Sequence, residues 1–313
     1  MMHSGRMLVM LAGVLALASM TTACSRGGDT GGNEASVSIP DNPPPITSLS
    51  QIKAPMASYI LSPEDAATLQ NAVIIVANKC SLRFGVVSSQ KPDNVRLPSD
   101  ALELDGRYST VVSLDGARQY GYQQDPRYAV KVDDKEKVKD AAPANPKERE
   151  VFNGVTADGQ KSSLKDKNGN LLPQGGCYGE GNAEIQDHEK DYWADLIHLS
   201  SDGLDNALDR LDNDSRLLDA EKKWAACMKT KGYTFTHKDD AVQSVAGKPR
   251  AQQVKVAVDD ATCSQQINYY GIMYALDTAY QNQYIVAHQA QFTSAQNGVR
   301  KALVTARGII AKG

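Results

Sequence analysis

Apolar residues along this chain recur mostly at the three- and four-residue steps of an α-helix. The longest such series predicts a helical seam near the C-terminus: Ile285, His288, Phe292, Ala295, Val299, Ala302, Ala306 and Ile309. The helical pattern covers residues 259–312 nearly throughout, and no proline follows Pro249. Because the seam residues are mostly small or mixed in type, we expect a long C-terminal helix that packs against its own protein rather than a free coiled coil.

Another predicted helix begins at Ser62. The segment Ser62-Pro63-Glu64-Asp65 offers an N-cap hydroxyl, a proline at the first helical position and acids in the first turn. The apolar stretch AVIIVA at residues 72–77 indicates that this helix is largely buried, and Gly85 marks its end. Further helices are predicted over residues 182–199, 203–211 and 214–231.

Two turn dipeptides interrupt the helical pattern between residues 151 and 176. Asp158-Gly159 and Asn168-Gly169 favour the positive φ angles of tight turns and predict a small β-ribbon. Residues 131–150 are highly charged and contain two prolines, which is typical of an exposed loop or a frayed helix. The expected fold class is therefore mainly α with a small β-hairpin or ribbon.

The N-terminus predicts export. Arg6 precedes an apolar run at residues 7–18, which is too short to span a bilayer and fits a secretory signal over residues 1–23. The residues Thr21-Thr22-Ala23-Cys24 resemble the lipobox of bacterial lipoproteins, whose cysteine is acylated, for example with palmitate; Thr21 stands where that box usually has leucine. The alternative is a cleaved secretory protein with a free Cys24.

The residues after Cys24 predict a tether and then a folded body. Residues 24–50 are rich in glycine and proline, and we expect them to be a disordered tether between the lipid anchor and a helical body over residues 51–313. Loss of the signal removes Arg6 alone among the charged residues, so that the net charge changes from −3 to −4. This mildly acidic balance argues against nucleic acid as a partner.

Two of the four remaining cysteines, Cys80 and Cys227, lie in segments of similar sequence, the echo segments. The segments NKCSLRFGV (residues 78–86) and AACMKTKGYT (residues 225–234) both read as a helix ending in cysteine, with glycine five places on. An even number of cysteines in an exported protein predicts disulfides, and four cysteines allow three pairings. Because each echo is followed by one further cysteine, we expect two related units, about 58–180 and 181–313, with bridges Cys80–Cys177 and Cys227–Cys263. Each bridge would stabilise the fold by roughly 4–5 kcal/mol on the loop-closure argument.

Two cysteine motifs resemble those of a bacterial group. W-x-x-C-M-x-x-x-G at residues 224–232 and G-G-C-x-G-E at residues 175–180 are similar to motifs of uncharacterised exported lipoproteins from actinobacteria. Cys80 departs from the pattern, since Ser81 follows it and no tryptophan precedes it. The resemblance implies a location in the cell envelope and names no catalytic residue.

The rest of the sequence gives little support for a catalytic site or a metal site. Cys177 has His188 eleven residues on, but a thiol with a partner cysteine outside the cell is expected to be oxidised rather than catalytic. The histidines lack the spacing of a zinc site, and the acidic segments 202–214 and 166–170 read as a solvated helix face and a hairpin turn. We therefore predict no metal, no cofactor and no enzymatic activity. A deep cleft around Glu180, His188 and Asp191 would contradict that expectation.

Tyrosine is unusually abundant, with thirteen tyrosines against four phenylalanines. Five of them crowd the predicted last helix and form a candidate binding surface for a glycan or a protein: Tyr269, Tyr270, Tyr274, Tyr280 and Tyr284. The alternative is that these rings cover a modest core.

The expected function is that of a lipoprotein on the outer face of the cytoplasmic membrane, with a non-enzymatic binding or structural role. Its partner would be an unidentified envelope protein or glycan. The alternative function is a secreted enzyme that acts on cell-wall polymers. A solute-binding protein ranks below both because alternating strand and helix patterns are missing.

Overall fold

The computed structural model describes residues 36–92, 108, 110–123, 145–186 and 190–313, and these residues are mainly helical. Residues Val37–Gly313 form one compact unit. The predicted signal, Cys24, residues 24–35 of the predicted tether, and His188 lie outside the described residues. The α-helices are α1 (Pro63–Arg83), α2 (Leu114–Tyr120), α3 (Pro146–Asn153), α4 (Gly176–Ile185), α5 (Tyr192–Asp212), α6 (Ser215–Thr230), α7 (Lys238–Ser244), α8 (Arg250–Gln266), α9 (Tyr269–Ala287) and α10 (Gln289–Lys312). Short 3₁₀ turns cover Leu49–Gln51, Pro55–Tyr59 and Thr110–Val112.

Helix α1 begins and ends where the sequence predicts. The Ser62 hydroxyl accepts a hydrogen bond from the Asp65 amide at 3.1 Å, which satisfies one of the free donors of the first turn. The predicted apolar stretch is almost entirely buried, and the helix packs against α4 and α10. The expected buried helix over this segment is confirmed.

The C-terminal segment is three helices rather than one long helix. Asn268 adopts a left-handed backbone with φ of 54° between α8 and α9, and its side-chain amide donates to the Pro43 carbonyl at 2.7 Å. His288 separates α9 from α10. The predicted seam still packs against its own protein, because Phe292, Val299 and Ala306 lie in a core shared with α1 and α5. No proline marks either break; at Asn268 a contact distant in sequence is present, whereas His288 contacts Tyr284 in the preceding turn.

The predicted β-ribbon is not confirmed as regular strands. Both turns form, with φ of 80° at Gly159 and 83° at Gly169. Each turn closes one isolated antiparallel bridge, Val155 with Lys161 and Lys165 with Leu171, and the described residues contain no longer ladder. The Asp166 carboxylate accepts hydrogen bonds from the backbone amides of Asn168 and Asn170 at 2.8 and 2.9 Å, as expected for a turn rather than a calcium loop.

The first described residues are packed, so the predicted tether is shorter than residues 24–50. Ile46 is buried in the core that α8 and α9 share, and Val37 and Ile39 are partly buried against it. Arg216 on α6 also donates to the Val37 carbonyl at 2.9 Å. Apolar side chains spaced among the prolines provide this packing, and composition alone did not reveal it.

A correction also applies to the end of the charged segment 131–150, of which the structure describes residues 145–150. Asn145 caps α3, and the carboxylate of Glu148 is buried. That carboxylate accepts hydrogen bonds from the Ser89 amide and hydroxyl at 2.8 and 2.9 Å. This part of the segment is therefore a packed helix rather than an exposed loop.

None of the helices in the described part of the chain is both long enough and apolar enough to cross a membrane.

Candidate functional site

Both predicted disulfides are present. Cys80 on α1 is bonded to Cys177 on α4 with a Cα–Cα distance of 5.6 Å, and Cys227 on α6 is bonded to Cys263 on α8 at 5.7 Å. Cys177 is fully buried as well as oxidised, which excludes it as a thiol nucleophile in this state.

The two echo segments end their helices in the same way. In the first, the amide of Val86 donates to the Ser81 carbonyl and the amide of Gly85 to the Leu82 carbonyl. The second repeats these bonds at the matching positions, from Tyr233 to Met228 and from Gly232 to Lys229. Both are Schellman motifs in which a glycine with positive φ closes the helix, and the bridged cysteine lies one residue before the accepting carbonyl.

The predicted tyrosine surface is not formed as expected. Tyr269, Tyr270 and Tyr280 are buried, and they lie on α9 rather than on the last helix. Tyr284 is half-buried with its ring stacked on His288. Tyr274 is half-buried, and its hydroxyl donates to the Lys53 carbonyl at 3.1 Å. Most of these rings therefore cover the core, which is the alternative that the composition left open.

The hydroxyl of Tyr280 is hydrogen-bonded inside the protein. It donates to the Asp214 carboxylate at 2.7 Å, and Arg216 pairs with the same oxygen at 2.7 Å. Burial acts to raise the pKa of Asp214, but the hydrogen bonds from Arg216 and Tyr280 outweigh it and lower that pKa to about 2. The group is a structural anchor at the start of α6.

The two described acids of the candidate enzyme cleft, Glu180 and Asp191, each make a structural contact. Glu180 pairs with Arg83, while Asp191 caps α5 by accepting a hydrogen bond from the Ala194 amide at 3.0 Å. In the described ranges, no group of three or more histidine, cysteine, aspartate or glutamate side chains is placed to hold a metal ion.

An open cleft of about 420 Å³ lies beside the second bridge. Its walls come from the extended residues after α6, from the end of α7 and from the first half of α8. The lining residues are Gly232, Tyr233, Thr234, Phe235, Ser244, Val245, Gln252, Lys255 and Val256. Gly232, the last residue of the W-x-x-C-M-x-x-x-G motif, and Tyr233, the residue after it, both line the cleft. The sequence motif therefore ends at the edge of the cleft.

A column of aromatic rings runs from the wall of the cleft, where Tyr233 and Phe235 lie, to the buried Trp224. Tyr233 and Phe235 stack with centroids 5.0 Å apart, and Phe235 stacks on Trp224 at 6.4 Å with the same 11° between the planes. Lys255 covers the outer face of Tyr233 with its ammonium 5.2 Å from the centroid. The Tyr233 hydroxyl donates to Asp259 at 2.8 Å, so the column is fixed at its outer end.

A buried polar cluster lies behind the column and centres on Asp260, which is 1% exposed. One carboxylate oxygen, Oδ1, accepts hydrogen bonds from the Trp224 indole at 2.8 Å, from the Ser264 hydroxyl at 3.0 Å and from the Lys238 ammonium. The other oxygen, Oδ2, accepts from the Tyr122 hydroxyl at 3.1 Å. Side chains from α6, α7, α8 and the residues after α2 therefore converge on one carboxylate.

Lys238 occupies an aromatic cage within this cluster. Its ammonium lies 4.9 Å from the Trp224 ring centroid and 5.0 Å from the centroids of Tyr269 and Tyr270. The side chain is 16% exposed. Burial lowers the pKa of Lys238, and the opposing attraction of Asp260 does not fully restore it.

Sequence reasoning did not find this cluster. Lys238 stands in the polar run HKDD, which is typical of a solvated helix start, and Asp260 is twenty-two residues away. The one available signal was the aspartate in a stretch of apolar residues at helical spacing, VAVDDATCS. No protein family, curated protein or solved structure matches this chain.

Proposed function

We propose that this chain is an exported, lipid-anchored protein of the cell envelope with a binding role, and that the cleft beside the Cys227–Cys263 bridge takes a glycan. The observation that carries the proposal is the cleft itself, which combines an apolar floor with a polar rim. The tyrosine-bearing helix α9, which the sequence favoured as the binding surface, is replaced by this cleft because most of its rings are buried.

The lining suits a sugar chain. Val245 and Val256 are buried and form an apolar floor, and Phe235 also lines the cleft. Thr234 and Gln252 supply a hydroxyl and an amide at the rim. Sugar rings present apolar C–H faces and hydroxyl edges, so a mixed surface of this kind can contact both, as ligand pockets generally do.

The walls of the cleft are held in place. The bridge joins α6 to α8, the aromatic column connects α6 to the extended residues, and the Lys238–Asp260 pair joins α7 to α8. A cleft whose walls are already fixed loses little conformational entropy when a ligand binds. This supports recognition of a ligand without domain closure.

The envelope location rests on the sequence. The signal, the lipobox resemblance at Cys24 and the actinobacterial motifs all support an anchored protein on the outer face of the cytoplasmic membrane. Cys24→Ala should move the protein from the membrane fraction to the medium. If the wild-type protein is itself found in the medium with a free Cys24, the anchor is wrong and the secreted alternative holds.

The cleft is tested by titrating the intact protein with a tetrasaccharide of N-acetylglucosamine while amide chemical shifts are followed. We expect the shift changes to centre on residues 232–235 and on the first half of α8. Gln252→Ala and Lys255→Ala should weaken binding at least about fivefold, since each removes a rim contact. Lys301→Ala, an exposed lysine of α10, is the matched control and should bind like wild type.

Changes elsewhere on the surface, or none at all, would overturn the glycan assignment. Cleavage of the tetrasaccharide during the titration would instead support the enzyme alternative.

A further inference from the structure

We propose that Lys238 and Asp260 become joined by an amide bond, so that the folded protein carries an internal side-chain crosslink in addition to its two disulfides. The site is the buried cluster behind the cleft, where the Lys238 ammonium contacts Oδ1 of Asp260 directly. The inference does not depend on the proposed glycan binding.

The geometry places an amine nucleophile against a carboxyl group. Lys238 is the first residue of α7 and Asp260 lies in α8, and both helices are fixed by neighbouring contacts. Groups held in contact react with an effective concentration far above that of free reactants. The fold therefore removes most of the entropic barrier to joining the two side chains.

A hydroxyl group is placed to carry the proton between them. The Ser264 Oγ accepts a hydrogen bond from the Lys238 Nζ at 2.7 Å and donates to Asp260 Oδ1 at 3.0 Å. Nζ, Oγ and Oδ1 therefore form a closed ring of hydrogen bonds. Through this ring, a proton that leaves the lysine can reach the carboxyl oxygen that must depart as water.

Burial favours the neutral form of the amine, which is the form that reacts. The rings of Trp224, Tyr269 and Tyr270 surround the amine within about 5 Å, and burial lowers its pKa. Donors from the Trp224 indole and the Tyr122 hydroxyl polarise the carboxyl group and stabilise charge that develops on its oxygens during attack. Burial also raises the pKa of Tyr122, which keeps its hydroxyl protonated as a donor.

The reaction balances without any further reactant. After proton transfer within the pair, the neutral Lys238 Nζ attacks Cγ of the protonated Asp260, and the C–N bond forms. The C–O bond to one carboxyl oxygen then breaks, and this oxygen leaves as water with one proton from the carboxyl group and one from Nζ. No electron transfer is involved, and the two opposite charges of the ion pair disappear together.

The crosslink would fix the cleft permanently. It joins the start of α7 to α8, and Ser244 and Val245 at the other end of α7 line the cleft opposite Gln252 and Lys255. An ion pair could open in a competing ionic environment, whereas an amide could not.

Intact mass and a tryptic digest of the reduced wild-type protein test the proposal. We expect a mass below that of the reduced chain by one water. Trypsin should not cut after Lys238, because an acylated lysine is not a substrate. The digest should therefore contain residues 232–250 joined to residues 256–300; the first of these peptides contains no cysteine, so a disulfide cannot explain the pair.

An unshifted mass with a free peptide 232–238 would overturn the proposal. Loss of water without joined peptides would overturn it as well, since a cyclised aspartate within one peptide explains that result.

Three variants test which residues form the bond and which one carries the proton. Lys238→Arg should give the full mass, because its guanidinium is not a nucleophile at neutral pH, whereas Lys255→Arg, which changes an exposed lysine of α8, should keep the loss of water. Ser264→Ala, followed over time after cell-free synthesis, should form the linked pair at least about tenfold more slowly. An equal rate in Ser264→Ala would overturn the proton relay.

Discussion

The two bridged regions share a helix end and differ in everything packed around it. The Cys80–Cys177 bridge lies among apolar side chains such as Phe84 and Phe152, with both cysteines buried. The Cys227–Cys263 bridge has one partly exposed cysteine and lies beside the Asp260 cluster and the cleft. A repeated cysteine–glycine plan thus sets the local backbone, while the residues packed against it decide whether the region is an apolar core or a polar cluster beside a cleft.

The difference extends to the partner cysteines. Cys177 is in the first turn of α4, whereas Cys263 is near the end of α8. The first bridge closes a loop with a sequence separation of 97 residues, and the second closes one of 36. The regions are therefore alike in their glycine-closed helix ends and unlike in their second halves.

The largest expected effect comes from removing each bridge as a pair. C80A/C177A should lower the free energy of unfolding by about 5 kcal/mol and C227A/C263A by about 4 kcal/mol, because the longer loop gains more entropy when released. Denaturant unfolding of both double variants measures the difference. A larger loss in the second variant would show that the bridge also supports the polar cluster.

Trp224→Phe should cost about 3 kcal/mol, since it removes volume from a fully buried site together with the indole donor to Asp260. Phe152→Leu is the matched change in the first region and should cost about 1 kcal/mol, because no polar group loses a partner. Chemical denaturation of the two variants gives both values. Equal costs would mean that the cluster contributes no more than apolar packing.

Asp214, at the start of α6, should make this side of the molecule sensitive to acid. Its folded pKa of about 2 lies below the ordinary value, so its contribution is fully present above about pH 4 and is lost as the pH falls through about 2. We expect a loss of about 2 kcal/mol over that window, measured by denaturant unfolding at a series of pH values. Asp214→Asn should flatten the curve there, and Asp205→Asn on an exposed face of α5 should not.

The smallest expected effect tests whether the two glycine-closed helix ends are equivalent. Gly85→Ala and Gly232→Ala should each lower the free energy of unfolding by about 1 kcal/mol, because both glycines have a positive φ that is strained for alanine. An added Cβ would meet nothing within 4 Å at either position, so no steric clash adds to this cost. Gly308→Ala, in an open part of α10, should instead stabilise by about 0.5–1 kcal/mol. Thermal unfolding measures the three variants, and clearly unequal costs at Gly85 and Gly232 would break the equivalence of the two helix ends.

Local signals were sufficient for much of the fold. The cap at Ser62 and the glycine at position 85 bounded α1, since both act within a few residues. The echo around Cys227 chose among three pairings, because a repeated backbone plan carries information that cysteine spacing alone does not. The prediction of a mainly helical, disulfide-bridged chain is confirmed.

Contacts between residues far apart in sequence explain the features that the sequence did not predict. Tyr280 was a candidate for a binding surface because tyrosine suits half-buried positions, yet Asp214, sixty-six residues away, accepts a hydrogen bond from its hydroxyl in the core. Asn268 takes a left-handed backbone at the start of α9 although it is not glycine, and its side chain is hydrogen-bonded to the distant Pro43 carbonyl. The site at Lys238 was hidden for the same reason, because its charge is compensated by a residue on another helix.

The order of the bridges along the chain also governs how the protein would respond to cleavage by a protease. The two covalent loops are consecutive rather than interlocked, since the first closes at Cys177 and the second opens at Cys227. A single cut inside either loop would leave the fragments attached through its bridge, and the proposed amide would also span a cut between Lys238 and Asp260. A cut between residues 178 and 226 would have no disulfide to span it, so the connection through α5 is the part of the chain where one nick separates the molecule covalently into two bridged pieces.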